Sequence, residues 1–218
     1  MEWESIAARI KADFEVKNQV REETLRICRQ IVRNASTAIR NVHRGERKKA
    51  ERLLAETAEF LKEVKNITKD HPEIYSAGFF QDAQKEYVEA RTTYALIYGN
   101  DLPDPDLLGV EYAAYLNGVG EAVGELRRHI LDVIREDQVE KGDRLLNAMD
   151  DIFYLLVSFD YPEAITGGLR RTTDAARAIM ERTRGDLTTA IRQHKLKQAI
   201  RQLENKLLEG NDVTSSKD

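Results

Sequence analysis

The sequence predicts an all-α fold, a bundle of about six to seven long helices with surfaces suited to oligomerisation. Apolar residues recur every three or four positions over long stretches, the period of an amphipathic helix. The 218 residues contain only four prolines and twelve glycines, too few for the turn about every 8–12 residues that an all-β sandwich or barrel requires. No stretch shows the strict alternation of a half-buried strand.

The first helix is predicted over 3–42. Its apolar positions are Trp3, Ile6, Ile10, Phe14, Val20, Ile27, Ile31, Ala35, Ala38 and Val42, and Arg44-Gly45 supplies a C-terminal stop. A second helix covers 46–69, with Leu54, Leu61 and Val64 on its apolar side, and His71-Pro72 closes it. A third runs over 76–99, from Phe79 and Phe80 to Tyr98. Gly99-Asn100 with Pro103 and Pro105 forms the clearest loop in the chain, followed by a short helical turn near 105–108. A fourth helix spans 109–136, and a fifth starts near Glu140 and ends before Pro162. A sixth starts at Pro162 or Ala164 and reaches Leu208, with Gly185 as the point where it would break. Residues 1–209 thus form a single domain, and 210–218 a polar tail expected to be disordered.

Charge and composition exclude several classes. No run of about 18 apolar residues exists, so no membrane span is expected. The acidic start, Met1-Glu2-Trp3-Glu4, lacks the apolar core of a signal peptide. One cysteine, Cys28, permits no internal disulfide and falls on the apolar side of the first helix. A reducing, cytoplasmic setting is expected. The net charge of −4 is segregated: residues 9–52 carry 13 Lys/Arg against 6 Asp/Glu, residues 168–206 carry 10 against 4, and residues 53–167 carry 10 against 23. Such blocks suit a polyanion-binding face beside an acidic centre, and also arise from solvated helix faces.

The acidic centre contains the candidate chemistry. On the third helix Asp82, Glu86 and Glu89 fall within about 60° of one another, at about 100° per residue. Glu121 and Glu125 on the fourth helix are one turn apart, and both groups border apolar faces. Gly118, Gly120 and Gly124 surround the second group. Three glycines in seven helical residues cost about 1 kcal/mol each against Ala, which close approach of a backbone or a ligand would explain. If the two helices pack side by side, up to five carboxylates meet, and their repulsion calls for a cation. Mg²⁺ or Mn²⁺ suits oxygen ligands and serves phosphodiester or pyrophosphate hydrolysis. Glutamates lining an ordinary exposed face remain the alternative.

Other constellations are absent. The third residue after Glu125 is Arg128, so the Glu-x-x-His of a di-iron bundle is missing. His43, His71, His129 and His194 are scattered, and no glycine-rich phosphate loop or nucleophile elbow occurs. Asp150 and Asp151 could add to the acidic set, but a solvated position is the favoured reading.

Two segments carry a family resemblance. Gln84-Lys85-Glu86-Tyr87-Val88-Glu89-Ala90 resembles the Gln-Glu-aromatic-aliphatic-Glu-Ala segment of translin-associated factor X, with Lys85 inserted or Gln84 displaced by one. Gly118-Val119-Gly120-Glu121-Ala122-Val123-Gly124-Glu125-Leu126 resembles that family's Gly-Val-x-Asp-x-x-Gly-Glu-Leu. Asp106 to Tyr112, Tyr115-Leu116, Tyr161-Pro162-Glu163, Leu169 and Arg184-Gly185 are similar to further family positions, so the likeness covers residues 5–186. It points to an archaeal- or prokaryote-like member of the translin and translin-associated factor X family. The catalytic branch resembles this chain more than translin does, because translin has apolar residues where this chain has Glu121.

The resemblance implies a seven-helix translin fold in an octameric shell and Mg²⁺-dependent endoribonuclease activity on single-stranded RNA. Glu86, Glu89, Glu121 and Glu125 would be the catalytic and metal-binding carboxylates. Duplex RNA with single-stranded parts is a further expected partner, and a homo-oligomer is the simpler assembly. Glu121 stands where the family has Asp, a side chain longer by one methylene. The expected RNA-binding residues are Arg29, Arg33, Arg40, Arg127, Arg128, Arg170 and Arg171. Leu187 to Leu208 extends past the family's usual end, and packing between subunits through Leu187, Ile191, Ile200, Leu203 and Leu207 is favoured there over RNA binding. Two alternatives stay open. One is an all-α nucleoside triphosphate pyrophosphatase, whose second Glu-x-x-Asp half is missing because Gly124 stands three residues after Glu121. The other is a non-catalytic RNA-binding scaffold.

Overall fold

The computed structural model describes residues 2–214, with side chains through residue 206. Among the described residues every regular element is helical: α1 Glu2–His43, α2 Arg47–Ile67, α3 Pro72–Tyr75, α4 Gly78–Ile97, α5 Pro105–Leu108, α6 Tyr112–Arg135, α7 Glu140–Val157, α8 Glu163–Thr166 and α9 Leu169–Thr214. Six long helices match the six expected, except that the last begins at Leu169 and not at Pro162 or Ala164, because Gly167 and Gly168, both at positive φ, end the short α8; α3, α5 and α8 are single turns.

Local chemistry sets the boundaries. Gly45, at φ +71°, ends α1, its N–H donating to the Val42 carbonyl while the Glu46 N–H reaches the Asn41 carbonyl. Those are the paired bonds of a left-handed helix cap. Pro72 does not only close α2. It opens α3, because proline is preset for the first helical position. Gly109, at φ +64°, delays α6 to Tyr112, three residues later than expected. Asp104 caps α5 by accepting from the Asp106 and Leu107 N–H groups.

Helix α9 does not break at Gly185. Arg184 pairs with Asp150 at 2.5 Å and Asp186 with Arg127 at 2.8 Å, so partners on α7 and α6 hold the helix on either side of the glycine. Asp150 is therefore ion-paired and not simply solvated, whereas Asp151 is exposed. Residues 210–214 of the expected tail continue α9, and 215–218 lie outside the described residues.

The core is continuous. Helix α1 packs on α2 and α4, α4 on α6, and α6 on α7 and α9. Phe80, Tyr87, Ile27, Ile31, Leu126, Met149 and Leu156 are fully buried in it, and Cys28 is buried as expected. Helices α4 and α6 run parallel, since Gln84 contacts Glu111 and Lys85 contacts Glu121. Helices α6 and α9 also run parallel, since Asn117 contacts Thr172 and Arg127 contacts Asp186. Among the described residues, two ends lack partners within the chain. The first half of α1 exposes Trp3, Ile6, Ile10, Phe14 and Val16, and the far end of α9 exposes Leu196, Ile200 and Leu203. Of the residues expected between subunits, Leu187 is instead buried against Ile130 and Gly142, Ile191 packs on the same core, and the side chain of Leu207 lies outside the described residues.

Candidate acidic site at the α4–α6 seam

The seam is close because Gly118 has no side chain. A Cβ there would stand 2.5 Å from the Lys85 carbonyl oxygen and 2.7 Å from the Val88 Cβ. Gly120 has a similar role toward α9, where a Cβ would meet Thr172 at 2.4 Å. These two glycines answer to close approach of neighbouring chain. Gly124 does not, for nothing lies within 4 Å of its Cβ position. Gln84, fully buried, fixes the register by accepting the Glu111 N–H at 2.7 Å at the start of α6.

That register brings Glu86 and Glu89 of α4 against Glu121 of α6. One carboxylate oxygen from each lies within 4.8 Å of the others. Burial, then the Glu121 charge, raises the pKa of Glu86. Burial raises Glu89 further, to about 8, with help from the charges of Glu86, Glu121 and Glu125. Lys85 offsets part of this repulsion through a 2.9 Å bond to Glu121. Burial works against its ammonium, but Glu121, Asp82 and Glu86 keep its pKa above the ordinary lysine value.

Glu125 is set apart from this triad. Its Oε2 lies 2.5 Å from Nε2 of His43, the last residue of α1, and 3.8 Å from Arg128. The His43 hydrogen bond holds the Glu125 carboxyl below its usual range, against the effect of burial. The His43 and His129 rings stand 6.2 Å apart, so two of the scattered histidines meet beside Glu125. Sequence reasoning missed His43 because 82 positions separate it from Glu125 and no helical period connects them. Its place at the end of a long amphipathic helix was the available signal.

A cleft of about 800 Å³ opens beside the triad and is lined by Asp82, Lys85, Glu121, Asn117, Arg171 and residues of α8. Asn117 shapes it, donating to the Ala113 and Thr166 carbonyls and accepting from the Thr172 hydroxyl. Of the expected basic residues, Arg171 lines this cleft and Arg128 flanks Glu125. Arg127 is drawn into packing, bonded to Thr183 and Asp186 of α9. Arg170 is exposed, and Arg29, Arg33 and Arg40 form an exposed face of α1 outside the cleft lining.

The donor set fits a hard divalent cation. Three carboxylates converge without enough positive charge to balance them, and the two whose pKa values are raised are those a cation would relieve. Such a site can bind a phosphate oxygen and a water together, with Lys85 and Arg171 as anion contacts at its edge.

No protein-family model matches the chain. An uncharacterised protein of Methanocaldococcus jannaschii is 31% identical over 190 residues, 86% of this chain and 84% of that protein. The structure of AfC3PO is 34% identical with a TM-score of 0.77, covering 87% of this chain and 97% of that one. AfC3PO in complex with duplex RNA gives 33% and 0.76, covering 87% and 96%. Apo-NeC3PO, at 21% identity and a TM-score of 0.76 over 84% and 96%, shares the fold. With relatives above 30% identity over most of both chains, this chain belongs to the translin and translin-associated factor X family, that of the C3PO proteins.

Proposed function

We propose that the protein is a Mg²⁺- or Mn²⁺-dependent endoribonuclease that cuts single-stranded RNA, including single-stranded parts of duplexes, within a homo-oligomeric shell in the cytoplasm. The observation that carries this reading is the convergence of Glu86, Glu89 and Glu121 beside an open cleft edged by Lys85 and Arg171. AfC3PO, a 33% identical relative, is seen with duplex RNA, which supports RNA as the ligand class. The exposed stripe of Trp3, Ile6, Ile10 and Phe14 supports self-association, because apolar surface of that extent is characteristically covered. An octamer is the assembly the family resemblance implies.

Glu86, Glu89 and Glu121 would hold the ion, which when bound lowers the pKa of a water and stabilises charge on the attacked phosphate. Lys85 and Arg171 hold the RNA backbone in the cleft without reading its sequence. Arg128 offers a second phosphate contact beside Glu125. Glu125, the fourth catalytic carboxylate of this reading, stands on the next turn of α6. The test is incubation with end-labelled single-stranded RNA in Mg²⁺ or EDTA, beside Glu121→Gln. Internal cuts requiring both the ion and Glu121 are expected. RNA bound but intact in every lane would select the scaffold reading, and pyrophosphate release from nucleoside triphosphates with RNA untouched would select the pyrophosphatase.

A further inference from the structure

We propose that the four carboxylates divide their work, with Glu125 orienting the attacking water outside the metal-ligand set and His43 acting as its positioning residue. The inference rests on the ribonuclease reading and assigns roles within it.

The contacts of Glu125 are one-sided. His43 Nε2 at 2.5 Å and Arg128 at 3.8 Å both face its Oε2, which leaves Oε1 free. The three carboxylate oxygens that converge come from Glu86, Glu89 and Glu121, and none comes from Glu125. A carboxylate tied through one oxygen and open at the other suits the acceptance of a proton from water.

His43 is built for that single contact. Its side chain is 4% exposed, so the bond is shielded from water. Its second nitrogen, Nδ1, is buried without a hydrogen-bond partner among the described residues. A buried polar atom left unpaired costs about 1–3 kcal/mol, and an aliphatic side chain would fill the same space without that cost. Packing alone therefore does not account for an imidazole at the end of α1. The Nε2–H bond to Glu125 does, and it ties the orientation of the carboxylate to the α1–α6 contact.

The test uses three variants of His43 in the full-length protein. Glutamine places its amide nitrogen as many bonds from Cβ as Nε2, whereas asparagine reaches only as far as Nδ1. His43→Ala and His43→Asn are expected to lower kcat for RNA cleavage about ten- to hundred-fold, the usual effect of losing an outer-shell partner. KM should stay within about two-fold, since substrate contacts are untouched. His43→Gln is expected to recover kcat to within about three-fold. Calorimetric titration with Mn²⁺ alone supplies a readout besides activity: binding persists in His43→Ala and Glu125→Gln and is lost in Glu121→Gln. Wild-type kcat in His43→Ala or His43→Asn overturns the role of His43. So does a His43→Gln protein that matches wild type in thermal midpoint and elution volume yet is as slow as the alanine variant. Loss of Mn²⁺ binding in Glu125→Gln overturns the division by making Glu125 a ligand. Absence of RNA cleavage by the wild-type protein is a separate result, which sinks the ribonuclease reading and this inference with it.

Discussion

Two successive turns of α6 bear similar residues and have opposite surroundings. In the first, Gly118 and Gly120 leave no room for a Cβ against α4 and α9, and Glu121 joins Glu86 and Glu89. In the second, Gly124 opens onto empty space and Glu125 meets a histidine from α1. Where carboxylates face one another in a buried seam, the pKa of Glu89 rises to about 8. Where a carboxylate faces an imidazole, the pKa of Glu125 falls. The repeated glycine-acid pattern thus makes one turn whose carboxylate is crowded by two others and one whose carboxylate is paired with an imidazole, and the neighbours decide which is which.

The largest effect should come from exchanging charge for an amide in the first turn. On the proposed assignment, Glu121→Gln or Glu89→Gln replaces a charged ligand with a neutral amide and removes several kcal/mol of transition-state stabilisation, about a thousand-fold or more in rate. Initial rates on a labelled RNA should fall by that much, together with Mn²⁺ affinity. RNA retention in a filter assay should remain, because the arginines proposed to bind it are untouched. Equal rates in wild type and both variants would erase the distinction between the two turns.

The next largest effect is a pH dependence of stability. The carboxyl of Glu89 has an ordinary pKa near 4.5 unfolded and about 8 folded. The folded state therefore holds a proton that the unfolded state has released between those values, so stability falls as pH rises through that window. In EDTA the thermal midpoint should drop from about pH 5 to about pH 8. Glu89→Gln should flatten the slope, and Mg²⁺ should restore the midpoint at the alkaline end by binding the ionised cluster. A midpoint that rises with pH in EDTA would contradict the crowded-carboxylate account.

The sequence shows one of the two turns well and the other poorly. Periodicity places all six long helices, because the apolar stripes of α1, α4, α6 and α7 become buried faces. Helical geometry places Glu86 and Glu89 on one rim, and the cost of Gly118 in a helix signals the close seam before any packing is seen. Short-range chemistry is harder to read. Pro72 can act as a stop or as a first helical residue, according to whether the residues after it turn helically. Gly185 breaks a helix only when partners on α6 and α7 do not hold it. The His43–Glu125 contact is a product of tertiary packing alone, and so is the diversion of Arg127 to Asp186. Periodicity also cannot say what covers an apolar face: Ile6 and Ile31 both fit the α1 pattern, yet one is exposed and the other fully buried.

The smallest effect separates the glycines. A Cβ at Gly118 would stand 2.5 Å from a backbone carbonyl oxygen, an atom that cannot swing aside. Overpacking of this kind costs about 1–3 kcal/mol, offset by roughly 1 kcal/mol from the better helix propensity of Ala. Gly118→Ala should therefore lower stability in urea unfolding by about 1 kcal/mol and shift Glu86 and Glu89 away from Glu121. Gly124→Ala meets nothing within 4 Å, so the propensity gain stands alone and stability should rise by about 0.5–1 kcal/mol. If that open space carries the RNA past Glu125, Gly124→Ala will be the more stable protein with the higher KM. A stabilised variant with unchanged KM would instead show that the RNA path lies on the Arg171 side of the cleft.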